Sequence, residues 1–394
     1  MAAPQHRVGS QLALESVLPH RKVTVVPFEP AHRAGMIALW QRHFGAWTAE
    51  RFDRRWDWQF NTNPFKNDRE PGLFVAVREG TQDVVGAMTA TPVPLRYEGA
   101  VRTSLCGGAL AVDEPYRGRC MDLARLLVKS SPAIAGGLHP SVRTIVKHFG
   151  FAYVPGSTRR FVLWLRHDGA RTRQLRRHLR RSMTALATPR LVSLLPKNLF
   201  GRALPKTSAL PSTQVRADIR TIDRFGADYD ALWQRASASI SCTIERSSTY
   251  MNWRHVDCPT QTSIRLGLYE NGVLKAIAIG ANRIEHDWTL TPCVMQGEIT
   301  ELIADEPGSP GVEALVVELV RRIDARRCDT IGTLGLRPEY HALLRRLGFA
   351  DSTDESFAMV ANPFKERVRN LDLKTEEQWL ISAADSDALY GETI

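Results

Sequence analysis

A chain of 394 residues, 43% apolar and 24% charged, has ordinary globular values and is too long for one core, so two domains are expected and disordered, collagen-like and fibrous readings are excluded. Its net charge of +10 is unevenly placed: residues 159–206 hold thirteen Lys and Arg against one acid, Asp168, so that segment is +12 and the remainder sums to −2. Basicity therefore belongs to one mid-chain element and does not mark the whole surface for nucleic acid.

In chain order, Val23 to Val26 is a β-branched run, residues 31–43 and 50–60 carry helical periodicity, and Leu73 to Val77 with Val84 to Met88 reads as a hairpin. An apolar strand ending at Val112 leads through a turn into a helix from Met121 to Lys129. A short strand at Ala133 to Gly137 and a helix from Ser141 to Phe149 come next, closed by Gly150 as a left-handed cap. Further on the order recurs: Val215 to Ile219, helical 223–238 and 248–255, Ser263 to Tyr269, Val273 to Ile279, a strand ending near Ala304, helix 311–325, strand Thr330 to Leu334, and helix 339–347 closed by Gly348. The pattern predicts an α/β (α+β) fold, with mixed, mostly antiparallel sheets and helices on both faces.

Three anchors show that the recurrence is a repeat. Trp58 and Pro64 match Trp253 and Pro259 at an offset of 195; Asp113, Glu114 and Pro115 match Asp305, Glu306 and Pro307 at 192; Gly137, Leu138, Pro140, Gly150, Phe151 and Ala152 match Gly335, Leu336, Pro338, Gly348, Phe349 and Ala350 at 198. The expected division is therefore 22–166, a basic bridge 167–213, a second copy 214–361, and a tail 362–394. In the bridge, Leu175, Leu179, Met183 and Leu186 recur at helical spacing among arginines, so residues 171–186 are expected to form an amphipathic helix able to lie on an anionic membrane. Aromatics are not interleaved with these arginines, so nucleic acid is not the expected partner. Residues 1–22 lack the apolar core of a signal peptide, and no uncharged stretch approaches a membrane span. Six scattered cysteines without CxxC or zinc spacing, and eleven dispersed histidines, suit reduced thiols and no metal. The expected location is the cytoplasm, with a peripheral position at the inner face of the membrane.

The stretch that carries chemistry is ALAVDEPYRGRCMDLARLL, Ala109 to Leu127. Here a strand of small residues meets a helix start with Arg117, Gly118 and Arg119 between them. Unpaired backbone N–H groups and the positive end of the helix dipole suit a diphosphate there.

This stretch resembles the acyl-CoA-binding loop of the GNAT N-acyltransferase superfamily. The tails VKHFGFA and LRRLGFA are similar to the last helix and Gly-Phe turn of that fold, so the resemblance covers both copies. It implies two tandem GNAT-like domains and an acyl-CoA substrate such as acetyl-CoA. The implied binding residues are Leu110, Ala111, Val112, Arg117, Gly118, Arg119, Cys120, Met121 and Asp122. Cys120 and Asp122 depart from the small residues usual at their positions, and a carboxylate at a helix start repels a diphosphate unless it is directed away. The second copy reads Gly308, Ser309, Pro310, Gly311 without arginine, so the first copy is expected to bind the donor. The tyrosine that many relatives use as an acid is replaced by Val146 and Leu344. The base position upstream of the turn is Cys106 in the first copy and Glu298 in the second; His139 is the other candidate base. The tandem form, the basic bridge and the tail Trp379 to Asp387 (WLISAADSD) resemble proteins of bacterial surface-polysaccharide and lipid-glycan systems, which implies an amino-sugar or related glycan acceptor. Two alternatives are a catalytically decayed scaffold and a transferase that takes aminoacyl groups from tRNA to build peptidoglycan bridges.

Overall fold

The structure is a computed structural model, and it describes residues 22–44, 48–66, 72–97, 99–129, 133–137, 142–167, 206–286, 292–335, 337–353, 358–362 and 375–385. The first half contains β1 (Val23–Pro27), α1 (Arg33–Phe44), α2 (Ala49–Trp56), β2 (Leu73–Arg78), β3 (Val84–Tyr97), β4 (Ala100–Val112), α3 (Arg119–Lys129), β5 (Ala133–Ala135), α4 (Arg143–His148), β6 (Ala152–Tyr153) and β7 (Arg159–Trp164). The second contains β8 (Asp218–Thr221), α5 (Ala227–Ala236), β9 (Cys242–Ile244), α6 (Ser248–His255), β10 (Ser263–Glu270), β11 (Val273–His286), β12 (Pro292–Ala304), α7 (Pro310–Asp324), β13 (Thr330–Leu334), α8 (His341–Arg346), β14 (Ala350–Thr353) and β15 (Val360–Asn362).

Two sheets carry the fold. The first runs β1-β2-β3-β4-β5-β15-β6, with β9 also paired to β3; the second runs β14-β7-β13-β12-β11-β10-β8. In each, one pair is parallel, β4 with β5 and β12 with β13. The two orders superimpose once β7 and β15 are recognised as exchanged. β7 is the last strand of the first copy in sequence but lies between β13 and β14, whereas β15 is the last strand of the second copy and lies between β5 and β6. Each half thus lends one strand to the other's sheet. Sheet membership does not respect the division at residues 166 and 361, because pairing partners so distant in sequence leave no periodic signal.

The matched tryptophans sit where the halves meet. Trp58 and Trp253 stack with ring centroids 4.6 Å apart and planes within 10°. Trp58 Nε1 donates to the Trp253 carbonyl at 2.8 Å, and Trp253 Nε1 donates to the Trp58 carbonyl at 3.0 Å. This reciprocity is what a local two-fold relation between the copies requires. Stacking adds about 0.5–1.5 kcal/mol beyond area burial, and each hydrogen bond about 1 kcal/mol. Around the pair, one apolar cluster joins β3 of the first half (Val93, Leu95, Tyr97) to α5 and α6 of the second (Tyr229, Trp233, Tyr250) and to Trp379, Leu380 and Ile381 of the tail.

Separate clusters fill the outer layers. Met36, Leu39, Trp40 and Phe52 of α1 and α2 cover one face of the first sheet, and Leu123 of α3 packs with Phe74, Leu105 and Val360 on the other. In the second half α7, with Leu315, Val316, Leu319 and Ile323 fully buried, packs on Leu266, Ile299 and Leu302. Gly150 and Gly348 take φ of 76° and 87°, so both copies have the expected left-handed closure after their last helix.

Some elements differ in extent from expectation. α3 begins at Arg119 rather than Met121, because the turn closes early through Cys120 N–H to the Arg117 carbonyl (3.1 Å). The first strand of the second half runs over Asp218–Thr221 rather than from Val215, which is 43% exposed and outside the ladder to β10. The basic helix expected at 171–186 lies outside the described residues, and among those that are described no helix is long and apolar enough to cross a membrane.

Candidate functional site

The site begins with a fault in strand β4. Against β3, Gly107 faces Ala90 but Leu110 faces Met88, so β4 carries one extra residue between them. A bulge of this kind bends its strand and leaves backbone groups unpaired. Pairing of β4 with β5 ends at Gly107 and Ala135, immediately before the bulge. From Gly108 onward β4 therefore has no partner on that edge among the described residues, and residues 108–110 are half-buried where the flanking strand positions are closed. Small residues, Gly107, Gly108 and Ala109, leave room for a ligand's backbone-like arm to lie along the free edge.

Beyond Val112 the chain turns at an anchored corner. The Asp113 N–H donates to the Val85 carbonyl (2.8 Å). Its carboxylate is held by Arg42 at 2.7 Å and by His43 at 3.1 Å, both from the last turn of α1. Glu114 to Tyr116 makes one 3-10 turn, then Arg117 and Gly118 lead into α3. The amides of Gly118 and Arg119 donate to no backbone carbonyl among the described residues, which leaves the positive end of α3 available to an anion. A Cβ placed on Gly118 would meet nothing within 4 Å, so the approach is open. Arg117 has 72% of its side chain exposed and, among the described residues, lies 3.5 Å from Glu114. Asp122, the residue expected to oppose an anion, faces along the helix: Arg119 lies 2.9 Å and Arg125 3.8 Å from its carboxylate. Three guanidinium groups against two carboxylates leave the corner one unit positive. Burial pushes the Cys120 thiol above its ordinary value, against smaller opposing effects of a backbone hydrogen bond and Arg117. Burial thus disfavours the Cys120 thiolate.

The second half repeats the frame and closes it. Across β11 and β12, Gly280 faces Ile299 while Ile279 faces Glu301, so Thr300 is the extra residue at the matched position. Pairing of β12 with β13 ends at Ile299 and Thr333. Asp305 is held by Arg235 of α5 (3.0 Å) and Lys275 (3.4 Å), as Asp113 is by Arg42. The next helix start is conventionally capped instead of open: the Ser309 hydroxyl accepts from the Val312 N–H at 3.3 Å. Tail residues cover the splayed strands. The Ser382 hydroxyl donates to Glu301 at 2.9 Å, Leu334 packs with Ala383, and the Ile381 carbonyl lies 3.0 Å from where a Cβ on Gly335 would stand.

The nine binding residues expected from sequence, Leu110 through Val112, Arg117 through Asp122, are gathered at the first-half corner. Of the two expected bases, His139 lies outside the described residues. Glu298 is in the second sheet, buried, with one oxygen on Arg160 of the exchanged strand β7 at 2.8 Å. Cys106, the equivalent strand position in the first half, is buried, with its Sγ 3.9 Å from the Asp385 carbonyl. Sequence reading missed the tail's part in this arrangement; its only signal was the run of small residues in WLISAADSD, which fits a segment threaded between two layers. Leu344, where many relatives carry the acid, is fully buried.

No protein-family model matches the chain, and no curated protein matches it by sequence. Solved structures do match by shape. N-myristoyltransferase of Saccharomyces cerevisiae with bound myristoyl-CoA is 12% identical, with 87% of this chain and 78% of that one covered and a TM-score of 0.54. A probable N-acyltransferase from Enterococcus faecalis V583 is 10% identical over 86% of this chain and 72% of that one, with a TM-score of 0.50. The chain therefore has the fold of these N-acyltransferase structures, in two tandem copies that exchange a strand.

Proposed function

We propose that the chain is an acyl-CoA-dependent N-acyltransferase whose first half holds the donor. The observation that carries this reading is the conjunction, in that half alone among the described residues, of a bulged strand with a free edge and an uncapped, arginine-bearing helix start. The pantetheine arm, which is amide-rich, would lie along Gly108 to Leu110. The diphosphate would meet the amides of Gly118 and Arg119 with Arg117 beside them. A backbone N–H at the bulge would receive the oxygen of the thioester as it becomes an oxyanion. The yeast neighbour's bound myristoyl-CoA supports a CoA thioester as the donor class.

The acceptor we carry forward is an amine of an amino sugar or related surface-glycan precursor, supported by the sequence likeness of the tandem form and tail. Its meeting place would be the cytoplasmic face of an anionic membrane, reached through residues 171–186. One observation favours a second reading, a retained fold without catalysis: Asp122 already neutralises Arg119.

Titration with acetyl-CoA followed by thermal unfolding separates the two. A ligand that binds only the native state at 100 times its Kd stabilises by about 2.7 kcal/mol, which is a clear rise in Tm. The catalytic reading expects that rise, and expects Arg117→Ala to reduce it. No rise at millimolar acetyl-CoA favours the scaffold.

A further inference from the structure

At the heart of the molecule lies a buried charge cluster that donor binding does not use. Arg246, fully buried between β9 and α6, donates through Nε to Glu301 of β12 (3.0 Å) and through Nη2 to Asp385 of the tail (2.7 Å) and to the Ser382 hydroxyl (3.0 Å). The Ser382 N–H also donates to Asp385 Oδ2 at 2.8 Å. Both donors thus fall on one carboxylate oxygen. The other, Oδ1, is buried and accepts no hydrogen bond from the described residues, a state that costs free energy. Asp385 lines a small, partly open void of about 10 Å³ with Leu95, Ile134, Val154, Ile381 and Met359. Ile134 is the β5 partner of Cys106, one pair before β4 and β5 part. The Cys106 Sγ to Asp385 carbonyl contact fixes the tail residue against β4 at the very strand position that lacks a carboxylate in the first half.

Resting on the donor reading above, we propose that Asp385 is the proton acceptor of the first-half site, delivered from the tail to stand in for the base that Cys106 cannot be. The acceptor's ammonium group gives one proton to Asp385. The neutral nitrogen forms a bond to the thioester carbon, and the C–S bond breaks. The nitrogen's second proton passes to the departing thiolate to give CoA thiol, and Asp385 returns its proton to solvent. Arg246, Glu301 and Ser382 bear directly on the titration of Asp385; behind them His255 of α6 lies 3.8 Å from Glu301, Arg254 of α6 donates to the Ala384 carbonyl, and the Tyr229 hydroxyl donates to the Arg246 carbonyl. Burial, with the negative charge of Glu301, raises the Asp385 carboxyl above its ordinary value while Arg246 pulls the other way, the direction in which a carboxylate becomes a stronger base.

The test uses the full chain, acetyl-CoA, and two amines: glucosamine, largely protonated near neutral pH, and hydroxylamine, which is already neutral there. Asp385→Asn keeps the shape and leaves Arg246 paired with Glu301, so acetyl-CoA still raises Tm as it does in the wild type. Transfer to glucosamine is expected to fall about 10²–10⁴-fold with loss of the acid limb of the pH profile. Transfer to hydroxylamine falls far less, and Asp385→Glu recovers part of the acid limb. An Asp385→Asn enzyme that keeps the wild-type acid limb overturns the proposal. So does a wild-type chain that binds acetyl-CoA yet acylates neither amine between about pH 5 and pH 9. A wild-type chain that does not bind acetyl-CoA at all takes down the donor reading first.

Discussion

The two halves share a sheet order, a bulge and an anchored aspartate, and part company beyond the bulge. In the first half β4 runs into Arg117, Gly118 and Arg119 with a clear approach; in the second β12 runs into a Ser309 cap with the tail laid over its splayed edge. A splayed strand pair is therefore a property of the fold, whereas a binding site depends on the few residues at the strand's end and on what the rest of the chain does with the opening. The halves are also unequal in buried charge. Glu301, the second-half counterpart of Ala109, brings Arg246, Asp385 and His255 into one interior network.

The largest effects should come from breaking what the halves have in common. Trp58→Ala and Trp253→Ala each remove a stacked ring and a reciprocal hydrogen bond, and each should cost about 3–5 kcal/mol in urea unfolding. Similar losses from both would support the two-fold relation, whereas a loss from one alone would break it. Replacing Arg246 by Met leaves Glu301 and Asp385 buried without their guanidinium, and should cost a comparable 3–5 kcal/mol.

A pH measurement sharpens the contrast in charge. His255 is fully buried, and burial holds its imidazole below the ordinary value despite nearby Glu301. The unfolded chain therefore binds that proton more readily than the folded one, and stability should fall as pH drops through the ordinary histidine range. The contribution has a slope of up to about 1.4 kcal/mol per pH unit. His255→Asn should flatten that part of the stability curve, and an unchanged slope would place the dependence elsewhere.

Smaller effects probe the open end. Arg117→Ala should weaken acetyl-CoA binding about tenfold at low salt and less at high salt, as expected for an exposed cation on a phosphate. Gly118→Val should leave stability within about 0.5 kcal/mol, because no described residue lies within 4 Å of the added Cβ, and should still reduce acetyl-CoA binding by filling the approach. Gly308→Val, at an equally open position in the second half, should change neither quantity.

What could be read in the sequence was local. The helix over Ser248–His255 and the strand over Thr330–Leu334 match the periodic reading residue for residue, because their amphipathic patterns are set within the segment. The corner at Arg117 to Arg119 was legible for the same reason: strand end, turn and helix start are contiguous. The exchange of β7 and β15 was not, since RRFVLW and VAN say "strand" without saying which sheet. Nor was the interior position of Asp385, which depends on Arg246, 139 residues earlier in the chain. A short tail segment with no periodicity gives no sign that a guanidinium is waiting for its aspartate.

The central claim, that the first half alone grips a CoA donor at its open helix start, is tested most directly by amide hydrogen exchange with and without acetyl-CoA. The account predicts new protection at residues 107–121 and none at residues 299–313. Protection at the Ser309 end, or at neither, would contradict it.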